Sequence, residues 1–198
     1  MKQKILVASN NQHKIEEIFA ILSPLGYEVI SMKEAGIQLD IEENGTSFAE
    51  NAILKVEALR EYGDFYIIAD DSGIEFECLN GLPGIYSARF LGEDTPYDIK
   101  NQLILKMMEM QENRKARFVC CIAILIHDKI HTFEAYLDGS IAHTSQGKYG
   151  FGYDPIFYLS EYHCHLAELV PIEKNKISHR SKALQMLEKF LKGGEDEI

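Results

Sequence analysis

The chain has 198 residues, 46% of them hydrophobic and 26% charged, with a formal net charge of −11. That composition belongs to a water-soluble globular protein with a real core, and it excludes a disordered or fibrous chain. The acidic balance argues against a partner such as duplex DNA or RNA, which needs a clustered basic face. It leaves open a single nucleotide, for which two or three local cations suffice. One domain of residues 1–198, carried as two lobes, is expected, with a disordered tail over residues 193–198. No run of about 18 apolar residues occurs and residues 1–10 lack a signal-peptide pattern, so no membrane association and a cytoplasmic location are the default expectations. Cys78, Cys120, Cys121 and Cys164 show no CxxC spacing and read as reduced, mostly buried thiols.

In chain order, Lys4 to Ala8 reads as a short buried strand. Ser9-Asn10-Asn11 then supplies a turn, and Ile15, Ile18, Phe19 and Leu22 mark one face of a helix ending near Pro24 and Gly26. A strand follows at residues 27–31. The spacing predicts a helix over residues 48–61 with Ala49, Ala52, Ile53, Val56 and Leu59 inward. Strands at 66–69 and 74–78 flank Asp70-Asp71, with Ser72-Gly73 as a turn between them. Thr95 as cap and Pro96 at the first helical position predict a helix with Ile99, Leu103 and Met107 inward, and the methionines along residues 106–110 read as core. Residues 116–126 and 130–143 read as a hairpin turning at Asp128-Lys129, and a last helix begins near Ser178 with Ala183, Leu184, Leu187 and Leu191 inward. The fold class is therefore α/β, a mixed sheet with helices packed on it.

Four constellations point to chemistry. Residues Ser9, Asn10, Asn11, Gln12, His13 and Lys14 stand between a strand and a helix, where free N–H groups and the helix dipole favour an anion. The side chains of Ser9 and the asparagines either bond phosphate oxygens or cap the helix, and Lys14 in the first turn calls for something negative beside it. Glu42-Glu43 and Asp70-Asp71 are a carboxylate set suited to magnesium, which takes one or two carboxylates and fills its octahedron with water and phosphate. Gly147 to Pro155 packs three glycines and three aromatics into nine residues, a loop able to stack a base on a ring. Finally, Lys174, Lys176, His179 and Arg180 gather cations around a helix start. His163-Cys164-His165 lacks the spacing of a structural zinc site and reads as surface or packing.

Taken together, these segments resemble the inosine triphosphate pyrophosphatase family, the Ham1-like noncanonical purine nucleoside triphosphate pyrophosphatases. The carriers are Ser9-Asn10-Asn11-x-x-Lys14 with Glu17, and Thr46-Ser47-Phe48-x-Glu50-Asn51-Ala52-x-x-Lys55. They continue through Ala69 to Gly73, Pro83 to Phe90, Gly150 to Phe157 and Ser178-His179-Arg180. Six blocks in one order over nearly the whole chain are highly specific. One segment departs from the pattern: Tyr162 to His165 stands where relatives often carry Gly-Lys-Thr or Gly-Lys-Ser.

The resemblance implies an elongated mixed sheet flanked by helices, two lobes around a central nucleotide-binding cleft, and a homodimer. It implies magnesium-dependent hydrolysis of XTP, ITP and dITP to the monophosphate and pyrophosphate. It also makes Asp71 the general base and a magnesium ligand, with Glu43, or its neighbour Glu42, as the other metal carboxylate. Ser9 to Lys14 would then hold the triphosphate and Ser72 would contact substrate. Phe151, Gly152, Tyr153 and Asp154, with Lys174, His179 and Arg180, would bind the base and the rest of the nucleotide. The competing readings are a pyrophosphatase for other nucleoside triphosphates and a non-catalytic purine-nucleotide sensor.

Overall fold

A computed structural model describes residues 3–62 and 65–193. The elements in order are β1 (Lys4–Val7), α1 (Gln12–Leu22), β2 (Glu28–Ser31), α2 (Phe48–Glu57), β3 (Tyr66–Phe76), α3 (Tyr97–Met107), β4 (Lys115–Ile126), β5 (Lys129–Ile141), β6 (Phe157–Leu159), β7 (Cys164–His165), α4 (Pro171–Ile177) and α5 (His179–Gly193). The strands form one mixed sheet in the order β2-β1-β3-β4-β5-β6-β7. β1 runs parallel to β2 and β3, whereas β5 with β6 and β6 with β7 are antiparallel. Gly193 closes α5, and the remainder of the expected tail lies outside the described residues.

The residues group into two compact units, one comprising Met1–Asp71, Cys120–Ala135 and His179–Ile198, the other Ser72–Val119 and Tyr136–Ser178. In the first unit, Ile5, Val7 and Ile68 share a core with Ile18 and Leu22 of α1 and Ala183, Leu184 and Leu187 of α5. Side chains alternate along a strand, so Asp70 falls on the same face as Ile68, and Asp71 falls on the opposite one. In the second unit, Ile74, Phe76, Ile104, Phe118, Leu137, Tyr153 and Phe157 belong to a separate core.

Several local expectations are corrected. β3 runs unbroken through Asp70-Asp71-Ser72-Gly73, so the two carboxylates sit in mid-strand and not beside a turn. α2 ends at Glu57, and the face it buries includes Asn51 and Lys55 beside Phe48, Ala52 and Val56. On α1, Ile18 and Leu22 are buried but Phe19 is exposed. The α3 face is rotated: Ile99, Leu103 and Met107 are 41–46% exposed, while Lys100, Asn101 and Ile104 are buried. The cause is polar. Lys100 Nζ donates to Ala88 O at 2.6 Å, and Asn101 Nδ2 donates to Gly152 O at 3.0 Å, so the helix turns that pair inward. Of the nearby methionines, Met108 is buried and Met110 is 89% exposed.

Pro96, and not Thr95, is the α3 N-cap; the Thr95 hydroxyl donates to Leu91 O at 2.8 Å instead. The β4–β5 turn is His127-Asp128, both at positive φ, the geometry of a two-residue hairpin. α4 had no counterpart in the periodicity. It is seven residues long, with Pro171 at its first position. All four cysteines are free. Burial pushes the Cys120 and Cys121 thiols up, the latter to about 12, which makes them poor nucleophiles. Among the described residues no helix is long and apolar enough to cross a membrane.

Candidate active site

At the β1–α1 junction the side chains serve the helix first. Asn11 is the N-cap of α1, its Oδ1 accepting from the N–H groups of His13 at 3.1 Å and Lys14 at 3.3 Å. Ser9 Oγ accepts from Asn11 N at 3.2 Å, and Asn10 Nδ2 donates to Leu39 O at 3.3 Å. Gln12 and His13 are exposed, Gln12 bonding Glu16 one turn on. Lys14, a cation in the first turn, finds its negative neighbour inside the protein: Nζ lies 3.2 Å from Asp70 Oδ1.

The same explanation covers the second cationic helix start. Arg180, 1% exposed in the first turn of α5, donates to Asp70 Oδ2 from Nε at 3.1 Å and Nη2 at 2.9 Å, and from Nη1 to Glu17. Burial works to raise the Asp70 carboxyl, but Arg180, then Lys14 and Lys55, hold it far below the usual carboxylate range. Asp70 is thus a permanent anion committed to its neighbours. His179, which opens α5, is also buried.

Asp71 has the contrary environment. On its face of β3 it meets α2: Asn51 Nδ2 donates to Oδ2 at 3.0 Å, and Lys55 Nζ lies 3.4 Å from Oδ1. Burial raises its proton affinity. Lys55 and Lys14 oppose that shift and Glu43 adds to it, so the net displacement is upward. The Lys55 ammonium also contacts Asp70 O at 3.0 Å and Glu43 Oε1 at 2.9 Å. Burial disfavours its charge, yet Asp71, Asp70 and Glu43 outweigh that and raise its pKa. Glu43 is the acid of the pair that reaches this cluster; Glu42 is exposed. A buried carboxylate with raised proton affinity, fixed at both oxygens, has the properties of a general base for water.

Among the described residues no group of three or more His, Cys, Asp or Glu side chains is placed to hold a metal ion. Glu43 and Asp71 nevertheless converge on one ammonium. Two carboxylates so placed are of the kind that a hard divalent cation takes when water and phosphate complete its coordination.

In the second unit, Gly147, Gly150 and Gly152 adopt positive φ. Gly150 is required twice over, because a Cβ there would also stand 2.1 Å from Asp154 Oδ2. That oxygen accepts from Phe151 N at 3.0 Å and from Lys174 Nζ at 2.7 Å. The Lys174 ammonium lies 4.6 Å from the centroid of the half-buried Phe151 ring. Tyr153 is not a presented ring: it is buried, its hydroxyl donates to Ser87 O at 2.5 Å, and Tyr97 packs edge-on against it. Ser72, in β3, is half-buried. His165 is a packing residue whose backbone N–H is bonded by Glu168 at 2.7 Å.

Sequence reasoning left Asn51, Lys55 and Glu17 without roles. Their signal was an apolar helix face interrupted by Asn51 and Lys55 one turn apart, and an acid one turn after Lys14.

This arrangement sits in a chain whose residues 5–190 match the model of the Ham1 family. The chain belongs to the Ham1 family. Among Ham1 relatives, it is 45% identical over 95% of its length, and 96% of theirs, to the dITP/XTP pyrophosphatase of Thermoanaerobacter pseudethanolicus. It is 43% identical to the dITP/XTP pyrophosphatase of Bacillus subtilis, with 96% and 98% of the two chains covered. Among solved structures it is similar to the Staphylococcus aureus Ham1 protein, with TM-score 0.86, 41% identity, and 96% and 99% coverage. It is also similar to a HAM1 protein from Coxiella burnetii, with TM-score 0.88, 36% identity, and 97% and 100% coverage.

Proposed function

We propose that this chain hydrolyses dITP, ITP and XTP to the nucleoside monophosphate and pyrophosphate, clearing these purines from the nucleotide pool. The observation that carries this reading is Asp71: buried, raised in proton affinity and gripped at both oxygens, in a Ham1 chain so close to dITP/XTP pyrophosphatases. Phosphoanhydride hydrolysis asks for charge neutralisation and a well-placed water more than for covalent chemistry. Asp71 orients and deprotonates the water that attacks the α phosphorus. Lys14 and the capped turn at Ser9, Asn10 and Asn11, with Gln12 and His13 beside them, hold the phosphates, and Ser72 contacts the substrate next to Asp71. Magnesium, held by Glu43 and Asp71, would supply further positive charge to the phosphate oxygens.

The purine is assigned to Phe151 and Gly152, with Tyr153 and Asp154 as their frame and with Lys174 and His179. Lys174 is aligned for this by Asp154. Arg180 acts through Asp70, since its guanidinium is committed to Asp70 and Glu17. A 6-oxo purine presents an acceptor where adenine presents a donor, so a donor-lined pocket discriminates strongly between them. A cytoplasmic homodimer is part of the same proposal and rests on the resemblance.

The test is a panel of nucleoside triphosphates, with and without Mg²⁺, scored for pyrophosphate against orthophosphate. Pyrophosphate from dITP, ITP and XTP far above that from ATP is expected. Equal turnover of ATP and ITP, or tight ITP binding with no turnover, overturns the reading.

A further inference from the structure

The geometry points to Asn51 as the positioning residue of Asp71, a carboxamide locked in one orientation that ties the catalytic carboxylate to the loop carrying Glu43; this rests on the function proposed above. Asn51 is fully buried on α2. Its Oδ1 accepts from Gly45 N at 2.8 Å and its Nδ2 donates to Asp71 Oδ2 at 3.0 Å. The orientation is not interchangeable. A flipped amide would set its oxygen against the Asp71 carboxylate and its NH₂ against the Gly45 N–H, losing both bonds at once.

The loop is held to the same helix end by neighbouring bonds. Ser47 caps α2 through Glu50 N at 3.1 Å, and Glu50 Oε2 accepts from Thr46 N at 2.6 Å and Thr46 Oγ1 at 2.7 Å. Backbone approach at Gly45 is close: a Cβ there would lie 2.7 Å from Asn51 Oδ1 and 2.8 Å from Glu50 Cβ. Asn51 and Lys55 stand one turn apart on one helix face, so α2 grips Asp71 at both oxygens, Oδ2 from the amide and Oδ1 from the ammonium. Without the amide, Oδ2 loses its donor and only the longer Lys55 contact at Oδ1 still orients the carboxylate.

The experiment is kinetic and spectroscopic on the whole protein. Asn51→Asp keeps the acceptor for Gly45 but replaces the donor facing Asp71, and Asn51→Ala removes both. Each is expected to lower kcat for dITP by about 10²-fold, the scale of a small misplacement of a reacting group, with KM within about threefold. A purely structural role predicts lower melting temperatures with kcat per folded molecule unchanged, and kcat within threefold of wild type in either folded variant overturns the inference.

A second readout does not depend on activity or on the variants at residue 51 folding. In the wild type the Asn51 side-chain NH₂ should give slowly exchanging ¹H–¹⁵N resonances that shift in Asp71→Ala. Rapid exchange with no response to Asp71→Ala also overturns the inference. Should the wild type release no pyrophosphate from dITP, the proposed function fails by itself, and the resonances still judge the link between Asn51 and Asp71.

Discussion

In the first unit Asp70, Asp71, Lys55 and Arg180 are buried and Lys14 is half-buried, and the five arrive from four separate elements to pair their charges. In the second, the Gly147–Asp154 loop is organised around the buried pair of Lys174 and Asp154, inside a frame of glycines, rings and the Asn101 amide. The first arrangement fixes protonation: adjacent residues of one strand become a permanent anion and a proton acceptor, because Arg180 and Lys14 face one, while burial and Glu43 outweigh Lys55 and Asn51 at the other. The second arrangement fixes shape. Its glycines bring the backbone close, and its ion pair aims an ammonium across the Phe151 ring. Changes in the first unit should therefore act on kcat or on folding, and changes in the loop should act on KM.

The largest expected effect is Asp71→Asn, a fall in kcat of about 10²–10⁴ as an acid–base role is lost. The sign of its stability effect sharpens the contrast. Asp71 is raised in the fold, so the folded state holds that proton more tightly, and its contribution to stability is lost as pH rises through the folded value. Asp71→Asn should thus relieve a penalty that grows from pH 4 towards neutrality, set against the counter-charge that Lys55 loses at every pH. Melting curves from pH 4 to 8 decide it, and a mutant-minus-wild-type difference that fails to rise with pH contradicts the assignment.

Asp70→Asn should behave in the opposite way, costing about 3–5 kcal/mol because the buried Arg180 charge keeps only Glu17 of its two carboxylate partners. For a chain of this size that is a drop of roughly 10 °C or more. The Asp70 carboxyl is depressed, so its stabilisation is present above the ordinary carboxylate value and lost as pH falls through the folded one. The difference between mutant and wild type should therefore persist at pH 5 and narrow only in stronger acid. In the loop, Gly150→Ala puts a Cβ against Asp154 at positive φ, with an expected cost of about 1–2 kcal/mol. KM for dITP should rise by roughly tenfold, with kcat changed less; a kcat effect alone would merge the two units' roles. The smallest contrast is Glu42→Gln against Glu43→Gln. The exposed Glu42 should be neutral within about 0.5 kcal/mol and in rate, whereas Glu43→Gln should lower turnover.

β1, β2, the β4–β5 hairpin and the terminal helix were legible because their apolar residues repeat at strand or helix spacing and meet one core. β3 instead read as two strands parted by a turn, and β6 and β7 had no counterpart. Lys14 and Arg180 were legible as anomalies, cations at helix starts. The sequence pattern pointed to a ligand as their counter-charge, and the fold supplies Asp70 and Glu17, which lie 56 and 163 positions away from their respective partners. No local pattern carries that information. α3 was misread for a related reason: periodicity ranks Ile99, Leu103 and Met107 above Lys100 and Asn101, but hydrogen bonds to Ala88 and Gly152 set which side turns in. The double carboxylate was conspicuous, yet its division of labour depends on what each face of β3 meets.

That division has a consequence for how the strand tolerates change. Pleating alone assigns Asp70 to the arginine and Asp71 to the amide, so a one-residue deletion upstream in β3 would move Asp71 into the place of Asp70 and Ser72 into the place of Asp71. The acid that should take a proton would then be clamped by Arg180, and a hydroxyl would stand opposite the amide of α2. A frame slip of one step would thus remove the base from its place with the composition almost unchanged.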